Sequence, residues 1–132
     1  MARAAKVREV MSTHVLTCAR DTILYDAVEL MALQNIGAVV VVEGERPVGI
    51  LTERDILKRV VLGGLQVRHE QVHSVFTPDL VSIRPDQSID EVIQKMFAGR
   101  FRHLPVIEDG KVVGMVSATD VVRHLATSPG GG

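Results

Sequence analysis

Two short segments of the chain place a side-chain hydroxyl three residues before a carboxylate. Thr52 precedes Asp55 in the first segment, and Ser117 precedes Asp120 in the second. At the start of a helix such a pair can form a capping box, in which both side chains accept hydrogen bonds from free backbone amides. The same groups can also bind a ligand, because a helix N-terminus attracts anions and a carboxylate accepts hydrogen bonds from two neighbouring hydroxyls. The two roles are compatible.

A second candidate is the segment His69-Glu70-Gln71-Val72-His73, which matches the His-Glu-x-x-His motif of zinc hydrolases. That chemistry requires both histidines on one face of a buried helix, with a third ligand and a substrate cleft. Here the motif covers a predicted linker and a short turn. We expect surface histidines and no metal site, with adventitious Zn or Ni binding by His69 and His73, or a zinc hydrolase, as alternatives. With no other catalytic constellation in the chain, we expect no enzymatic activity, no catalytic residue and no catalytic cofactor.

The composition is that of a foldable chain of 132 residues with a formal net charge of −1. Hydrophobic residues make up 46%, enough for one domain or for two small repeats that share a core. The near-neutral charge and an aromatic content of 3% argue against a nucleic-acid-binding protein. The longest apolar runs, such as Ala38–Val42, are far shorter than the roughly 20 residues of a membrane span.

The cysteine content and the two ends of the chain bear on where the protein resides. Cys18 is the only cysteine, which excludes an intrachain disulfide, and we expect it to be a small buried hydrophobe. The basic N-terminus has no apolar stretch behind it and is not typical of a secretory signal. The glycine-rich end, 127–132, is predicted to be a flexible tail. We therefore expect a cytoplasmic protein.

The chain contains an internal repeat. A shift of 65 residues lays Val7–Val61 on Val72–Ala126 without a gap, so that both Thr/Ser-x-x-Asp segments coincide. Other aligned pairs are identical, among them Val10/Val75, Met31/Met96, Val48/Val113 and Gly49/Gly114. The alignment predicts repeat 1 at 7–61, a linker at 62–71 and repeat 2 at 72–126.

Each repeat is predicted to form a strand, a helix, two strands and a helix, after a short helical turn. The brief first strand is expected at Val15–Thr17 and at Leu80–Ile83, and the helix of repeat 2 begins with a capping box of Ser88 and Glu91. Asp109-Gly110 predicts a hairpin turn, because both residues tolerate positive φ. The fold class is α+β, with tandem β-α-β-β-α repeats that pack together because one repeat alone would bury too little surface.

The segments around the two aspartates resemble the signature of CBS domains: Gly, two apolar residues, Thr or Ser, two variable residues, Asp and an apolar residue. Gly49–Ile56 and Gly114–Val121 both fit it, and Arg102–Val106, with its counterpart Ile36–Val40, resembles the beginning of the strand before it. The resemblance covers about residues 7–126 and is to stand-alone bacterial proteins made of a single CBS pair, or Bateman module. It implies a pseudo-twofold pair with two clefts between the repeats, which commonly dimerises through its helices.

The resemblance also implies a ligand, because the clefts of many CBS pairs bind AMP, ADP, ATP, NAD or S-adenosylmethionine. The Asp would bind ribose hydroxyls, the Thr or Ser would contact ribose or phosphate, and Arg102 and His103 are the phosphate candidates. Adenine would be held by the opposite repeat. One cleft would comprise Ile50, Thr52, Arg54 and Asp55 facing Leu80, Val81 and Ser82, and the other would comprise Met115, Ser117, Thr119 and Asp120 facing Val15, Leu16, Thr17, Ile36, Gly37 and Ala38. Because the repeats differ at these positions, we expect unequal occupancy.

The predicted function is therefore that of a non-catalytic sensor in signal transduction, of the kind used in energy sensing, with an adenine nucleotide as regulatory ligand. Binding would shift a homodimer between two geometries. The free energy of that shift would be no larger than the difference between the ligand's binding free energies for the two states. A separate effector protein would receive the signal, and we expect neither nucleic acid nor membrane as a partner. The alternative is a ligand-free dimeric scaffold in which the Thr/Ser-x-x-Asp segments are only helix caps.

Overall fold

The structure is a computed structural model, and it describes residues 5–127. Within these residues the chain divides into two compact units. The middle unit is Leu16–Leu80, and the terminal unit combines the described residues up to Val15 with those from Val81 onward. The basic start of the chain at 1–4 and the tail predicted to be flexible, apart from Thr127 at the end of a helix, lie outside the described residues.

The described residues form an α+β fold, which confirms the predicted fold class. Its elements are α1 (Val7–Val10), β1 (Thr17–Ala19), α2 (Leu24–Gln34), β2 (Ala38–Glu43), β3 (Arg46–Thr52), α3 (Glu53–Asp55), β4 (Thr77–Pro78), α4 (Ile89–Gly99), β5 (His103–Glu108), β6 (Lys111–Ser117) and α5 (Ala118–Thr127). A π-helix, Ile56–Val61, continues α3, and a 3-10 helix covers Val72–Ser74. In the part of the chain that the structure describes, no helix is long and apolar enough to cross a membrane.

The middle unit is built on a four-stranded sheet in the order β1-β2-β3-β4. β1 is parallel to β2, and the other two pairs are antiparallel. Ala38–Val41 of β2 are consecutively buried, as expected for a strand that is covered on both faces. The buried core consists of Leu16, Leu24, Ala27, Met31, Val39, Val41, Leu51, Val60, Val72, Val75 and Phe76.

The terminal unit is built on the hairpin of β5 and β6. Ile83 adds a parallel bridge to Val106, and Ser12 forms an antiparallel bridge with Met115. This last bridge is the repeat equivalent of the pairing between β4 and β3 in the middle unit. The buried core consists of Val7, Ile83, Ile89, Val92, Met96, Leu104, Val106, Val116 and Val121.

The compact units are offset from the sequence repeats. α1 begins repeat 1, yet it belongs to the terminal unit, where Val7 is fully buried. Val72 begins repeat 2, yet it is fully buried in the core of the middle unit. Each unit therefore takes its opening helical turn from the other repeat. An alignment compares positions and not packing partners, so it does not detect this exchange.

Two predicted strands differ from those in the structure. Of Leu80–Ile83 only Ile83 pairs, in an isolated bridge, and the first strand is Thr17–Ala19 instead of Val15–Thr17. Such short strands are determined by the neighbour that accepts their hydrogen bonds, and the apolar pattern of three or four residues does not locate them. The hairpin at Asp109-Gly110 is confirmed, with φ angles of 54° and 77°.

The helix starts also differ in part from the prediction. The hydroxyl of Ser88 accepts a hydrogen bond from the amide of Glu91 at 3.2 Å, which is one half of the expected capping box. The carboxylate of Glu91, however, accepts from Nε2 of Gln87 at 3.0 Å. The prediction of a reciprocal box at Ser88 was wrong: among the described residues Glu91 bonds to the side chain of Gln87 and not to the amide of Ser88.

Candidate functional site

The Thr52-x-x-Asp55 segment joins β3 to α3 and forms a complete capping box. Oδ2 of Asp55 accepts hydrogen bonds from the amide of Thr52 at 2.9 Å and from its hydroxyl at 3.1 Å, and Oγ1 of Thr52 accepts from the amide of Asp55 at 3.3 Å. Oδ1 of Asp55 accepts from the hydroxyl of Thr77 at 2.8 Å. Asp55 is only 8% exposed, so both its carboxylate oxygens are engaged inside the middle unit.

Two residues that the sequence analysis missed hold the chain next to Asp55. Thr77 lies in β4, opposite Ile50 of β3. Nη1 of Arg59 donates to the carbonyl oxygens of Val75 and Phe76, both at 3.1 Å. The repeat alignment carried a signal for one of them, because Thr77 aligns with Ser12 and both are hydroxyl residues. It carried none for Arg59, whose partners are backbone atoms.

The Ser117-x-x-Asp120 segment joins β6 to α5 and makes the same two capping bonds. Oδ2 of Asp120 accepts from the amide of Ser117 at 2.8 Å, and Oγ of Ser117 accepts from the amide of Asp120 at 3.1 Å. The other carboxylate oxygen, Oδ1, has no hydrogen-bond donor among residues 5–127 and lies 3.6 Å from Nη1 of Arg123. The side chain of Asp120 is 18% exposed. Capping is confirmed in both segments, and a ligand role for them remains a prediction.

The surroundings explain why the two carboxylates differ. Ser12, the repeat equivalent of Thr77, pairs with Met115 as Thr77 pairs with Ile50. Its hydroxyl, however, accepts a hydrogen bond from the amide of His14 at 3.3 Å. Beside Asp120 lies a cavity of about 210 Å³, which is lined by Glu9, Val10, Asp120, Arg123, His124 and Thr127.

The other predicted residues of the middle unit lie around the start of α3. The carbonyl oxygen of Gly37 accepts from the amide of Glu53 at 3.1 Å, which brings the start of β2 next to the capping box. Ile36, Gly37 and Ile50 are half-buried, Leu16 and Ala38 are buried, and Thr17 and Arg54 are exposed. The structure therefore brings Gly37 close to the Thr52 segment, within one unit.

The terminal unit repeats this arrangement. The carbonyl oxygen of Arg102 accepts from the amide of Ala118 at 2.8 Å, and His103 pairs with Ser117. Arg102 is exposed and His103 half-buried, so both phosphate candidates adjoin the Ser117 segment. Of the remaining predicted residues, Met115 is buried, Thr119 is exposed, and Val81 and Ser82 are half-buried. The predicted pairing of each set with residues of the opposite repeat stays a prediction.

The histidine motif does not form a metal site in this structure. His69 lies in a turn and His73 in the 3-10 helix, both exposed, so they do not share the face of one helix. Among residues 5–127 no group of three or more His, Cys, Asp or Glu side chains could hold a metal ion. Burial raises the pKa of the Cys18 thiol from 9.0 to about 11, so the thiol stays protonated well into the alkaline range.

Comparison with known proteins gives consistent matches along the chain. The family model for the CBS domain matches at residues 7–62 and 72–127. The chain is 40% identical over 115 residues to CBSX3, a mitochondrial CBS domain-containing protein of Arabidopsis thaliana, covering 83% of this chain and 56% of that protein. It is 30% identical over 128 residues to the CBS domain-containing protein YhcV of Bacillus subtilis, covering 97% and 91%. A solved structure of a protein with CBS domains from Burkholderia ambifaria has a TM-score of 0.89 and 33% identity, covering 95% of this chain and 96% of that one.

Proposed function

Because the chain belongs to the CBS domain family and carries the domain twice, we propose that it is a regulatory module that binds an adenosine-containing ligand and catalyses no reaction. The ligand is of the class that CBS pairs use: AMP, ADP, ATP, NAD or S-adenosylmethionine. Binding changes the geometry of a homodimer in the cytoplasm, and a separate effector protein receives the signal. The chain spans 56% of the length of CBSX3, so the activity of that whole protein is not carried over to this chain.

The observation that carries the proposal is the carboxylate of Asp120. Asp120 lines a cavity of about 210 Å³, and its Oδ1 atom lies 3.6 Å from Nη1 of Arg123. A ribose presents two neighbouring hydroxyls that can donate to such an oxygen, and bonds to a charged acceptor are the stronger ones. A phosphate on the same ligand is attracted by the Arg123 guanidinium and by the positive end of the α5 helix dipole.

A protein of the same fold has been solved with ligands of this class. The CBS domain pair of protein MJ0100 has been solved in complex with 5′-methylthioadenosine and S-adenosylmethionine. Its TM-score to this chain is 0.83 at 24% identity, so the likeness is one of fold. For this chain the adenosine ligand therefore rests on family membership and on the residues around Asp120.

Titration calorimetry on the nucleotide-stripped protein tests the proposal. AMP, ATP, NAD and S-adenosylmethionine are titrated separately, with GMP as the control for the base and 2′-deoxy-AMP as the control for the ribose. We expect at least one adenosine ligand to bind, and the deoxy analogue of a bound nucleotide to bind about 10- to 150-fold more weakly, because it loses a donor to a carboxylate. If none of the four binds up to millimolar concentration, the proposal is wrong.

A second candidate function, the ligand-free dimeric scaffold, is favoured by a different observation. The capping bonds of both segments are made within the chain itself, and large apolar side chains are exposed on the helices. In the middle unit Leu33 is 76% and Leu57 61% exposed, and Leu57 also lines an apolar cavity of about 360 Å³ between α2 and the π-helix. Exposed apolar patches mark interaction surfaces. We propose that a second copy of the chain covers this helical face, and the absence of nucleotide binding by a stable dimer would favour the scaffold.

A further inference from the structure

We infer that the two signature aspartates have different roles: Asp55 is an internal latch that holds Val75–Thr77 in place, and the ligand binds at Asp120 alone. The inference rests on the proposed function and deepens it, because it assigns one adenosine site to each chain. The Thr52-x-x-Asp55 and Ser117-x-x-Asp120 segments coincide in the repeat alignment, yet their carboxylates have different surroundings.

The carboxylate of Asp55 is committed to partners within its own unit. Its two oxygens together accept three hydrogen bonds, two from Thr52 and one from Thr77, and the residue is 8% exposed. With three bonds already accepted, the carboxylate has one acceptor position left, and that position is largely buried. Two ribose hydroxyls could bind together only by displacing a donor of the chain, and leaving that donor unsatisfied costs free energy that the new contact must first offset. Asp55 is therefore unsuited to bind two neighbouring hydroxyls of a ligand.

The segment that Asp55 holds has further attachments to the same unit. Arg59 donates to the carbonyl oxygens of Val75 and Phe76, and the Arg20 guanidinium lies 5.2 Å from the centre of the Phe76 ring. β4 adds its pairing with β3. These contacts converge on three consecutive residues, which is the arrangement expected of a structural latch and not of a surface that opens to admit a ligand.

At Asp120 the backbone pairing has its equivalent, between Ser12 and Met115, but the side-chain bonds of Thr77 and Arg59 have none among the described residues. The equivalent of Thr77 is Ser12, whose hydroxyl accepts from the amide of His14 and makes no hydrogen bond to Asp120 among the described residues. The equivalent of Arg59 is His124, which lines the cavity beside Asp120. The side chain of Asp120 is 18% exposed. Among the described residues, the one charged partner of its Oδ1 atom is the Arg123 guanidinium, 3.6 Å away. Asp120 therefore keeps one carboxylate oxygen available, as ribose binding requires.

The test compares matched variants of the whole chain by calorimetry and by urea unfolding. AMP, ATP, NAD and S-adenosylmethionine serve as probes, and the variants are Asp120→Asn, Asp55→Asn, Thr77→Val and Ser12→Ala. We expect one ligand per chain, an affinity lowered about 10- to 150-fold by Asp120→Asn, and an affinity within about twofold of wild type for Thr77→Val. Thr77→Val should lower the urea midpoint, and its counterpart Ser12→Ala should not.

The outcomes separate this inference from the proposed function. Two ligands per chain, or loss of binding in Asp55→Asn with retention in Asp120→Asn, would overturn the inference while leaving an adenosine sensor. Should Asp55→Asn fail to fold, Thr77→Val decides the same question, because loss of affinity in that variant would place the ligand at Asp55. If the wild-type protein binds none of the probes, the proposed function fails and the single-site inference fails with it. Equal urea midpoints for Thr77→Val and wild type would overturn the latch.

Discussion

The ring of Phe76 occupies the space in which a side chain on Gly49 would lie. The carbonyl oxygen of Thr77 closes the same space from the backbone, 2.5 Å from where a Cβ would be. The equivalent Gly114 instead faces Sδ of Met11, the end of a flexible side chain, also at 2.5 Å. The glycine of each signature therefore permits another segment of the chain to approach closely, and the approach is tighter at Gly49, because the backbone oxygen lies 2.5 Å away there and 3.0 Å away at Gly114.

Replacing Gly49 with alanine should destabilise the protein more than the same change at Gly114. Gly49→Ala forces an aromatic ring and backbone apart, a form of overpacking that typically costs about 1–3 kcal/mol. Gly114→Ala requires the flexible Met11 side chain to turn aside and the carbonyl oxygen of Ser12, at 3.0 Å, to shift slightly. Urea unfolding of both variants gives the comparison, and an equal or larger loss for Gly114→Ala would contradict this account of the two close approaches.

Removing the guanidinium of Arg59 should lower the free energy of unfolding by about 1–2 kcal/mol, because two hydrogen bonds from a charged donor are lost at an exposed side chain. Arg59→Gln keeps a polar side chain but cannot span the same distance. Lys58→Gln is the control, since it removes a neighbouring charge without touching Val75 or Phe76. Equal urea midpoints for the two variants would mean that the bonds to these carbonyls contribute nothing.

The thiol of Cys18 should make stability depend on pH in the alkaline range. Burial raises its pKa from 9.0 to about 11 in the folded protein. Between these values the unfolded chain loses the thiol proton and the folded protein keeps it. The free energy of unfolding is therefore unaffected by this group below pH 9 and falls as the pH rises from 9 to 11. Unfolding of wild type and Cys18→Ala at pH 8 and pH 10.5 isolates this group. Parallel losses in the two proteins would show that Cys18 does not contribute.

A charge on the exposed helical face of the middle unit should dissociate the proposed dimer. Leu57→Glu replaces an apolar side chain that is 61% exposed with a carboxylate. A buried interface between two copies does not tolerate an unpaired charge. Lys58→Glu, a charge change on the adjacent residue, is the control. Sedimentation velocity should show a dimer for wild type and the control, and a monomer for Leu57→Glu. A wild-type monomer at all concentrations, or a dimeric Leu57→Glu protein, would contradict the proposal.

Much of the fold followed from local patterns. The hairpin at Asp109-Gly110 was predictable because a two-residue turn needs positive φ, and the capping boxes at Thr52 and Ser117 because hydroxyl and carboxylate are three residues apart. Met31 and Met96, an identical pair in the repeat alignment, lie at equivalent places in the two cores. Leu80–Ile83 was placed wrongly because the hydrogen-bond partner of so short a segment lies far away in sequence.

The sequence by itself determined the repeat, the α+β class, the family and the two aspartate segments, because each depends on residue types at short or constant spacing. Only the tertiary structure decided which unit each opening turn joins and which aspartate is already occupied. Val7 and Val72 pack in cores whose other residues lie mostly far away in sequence, and Thr77 donates a hydrogen bond to Asp55, 22 residues earlier. Contacts at that distance arise from packing of the whole unit, and so two segments of nearly equal sequence have unequal carboxylates.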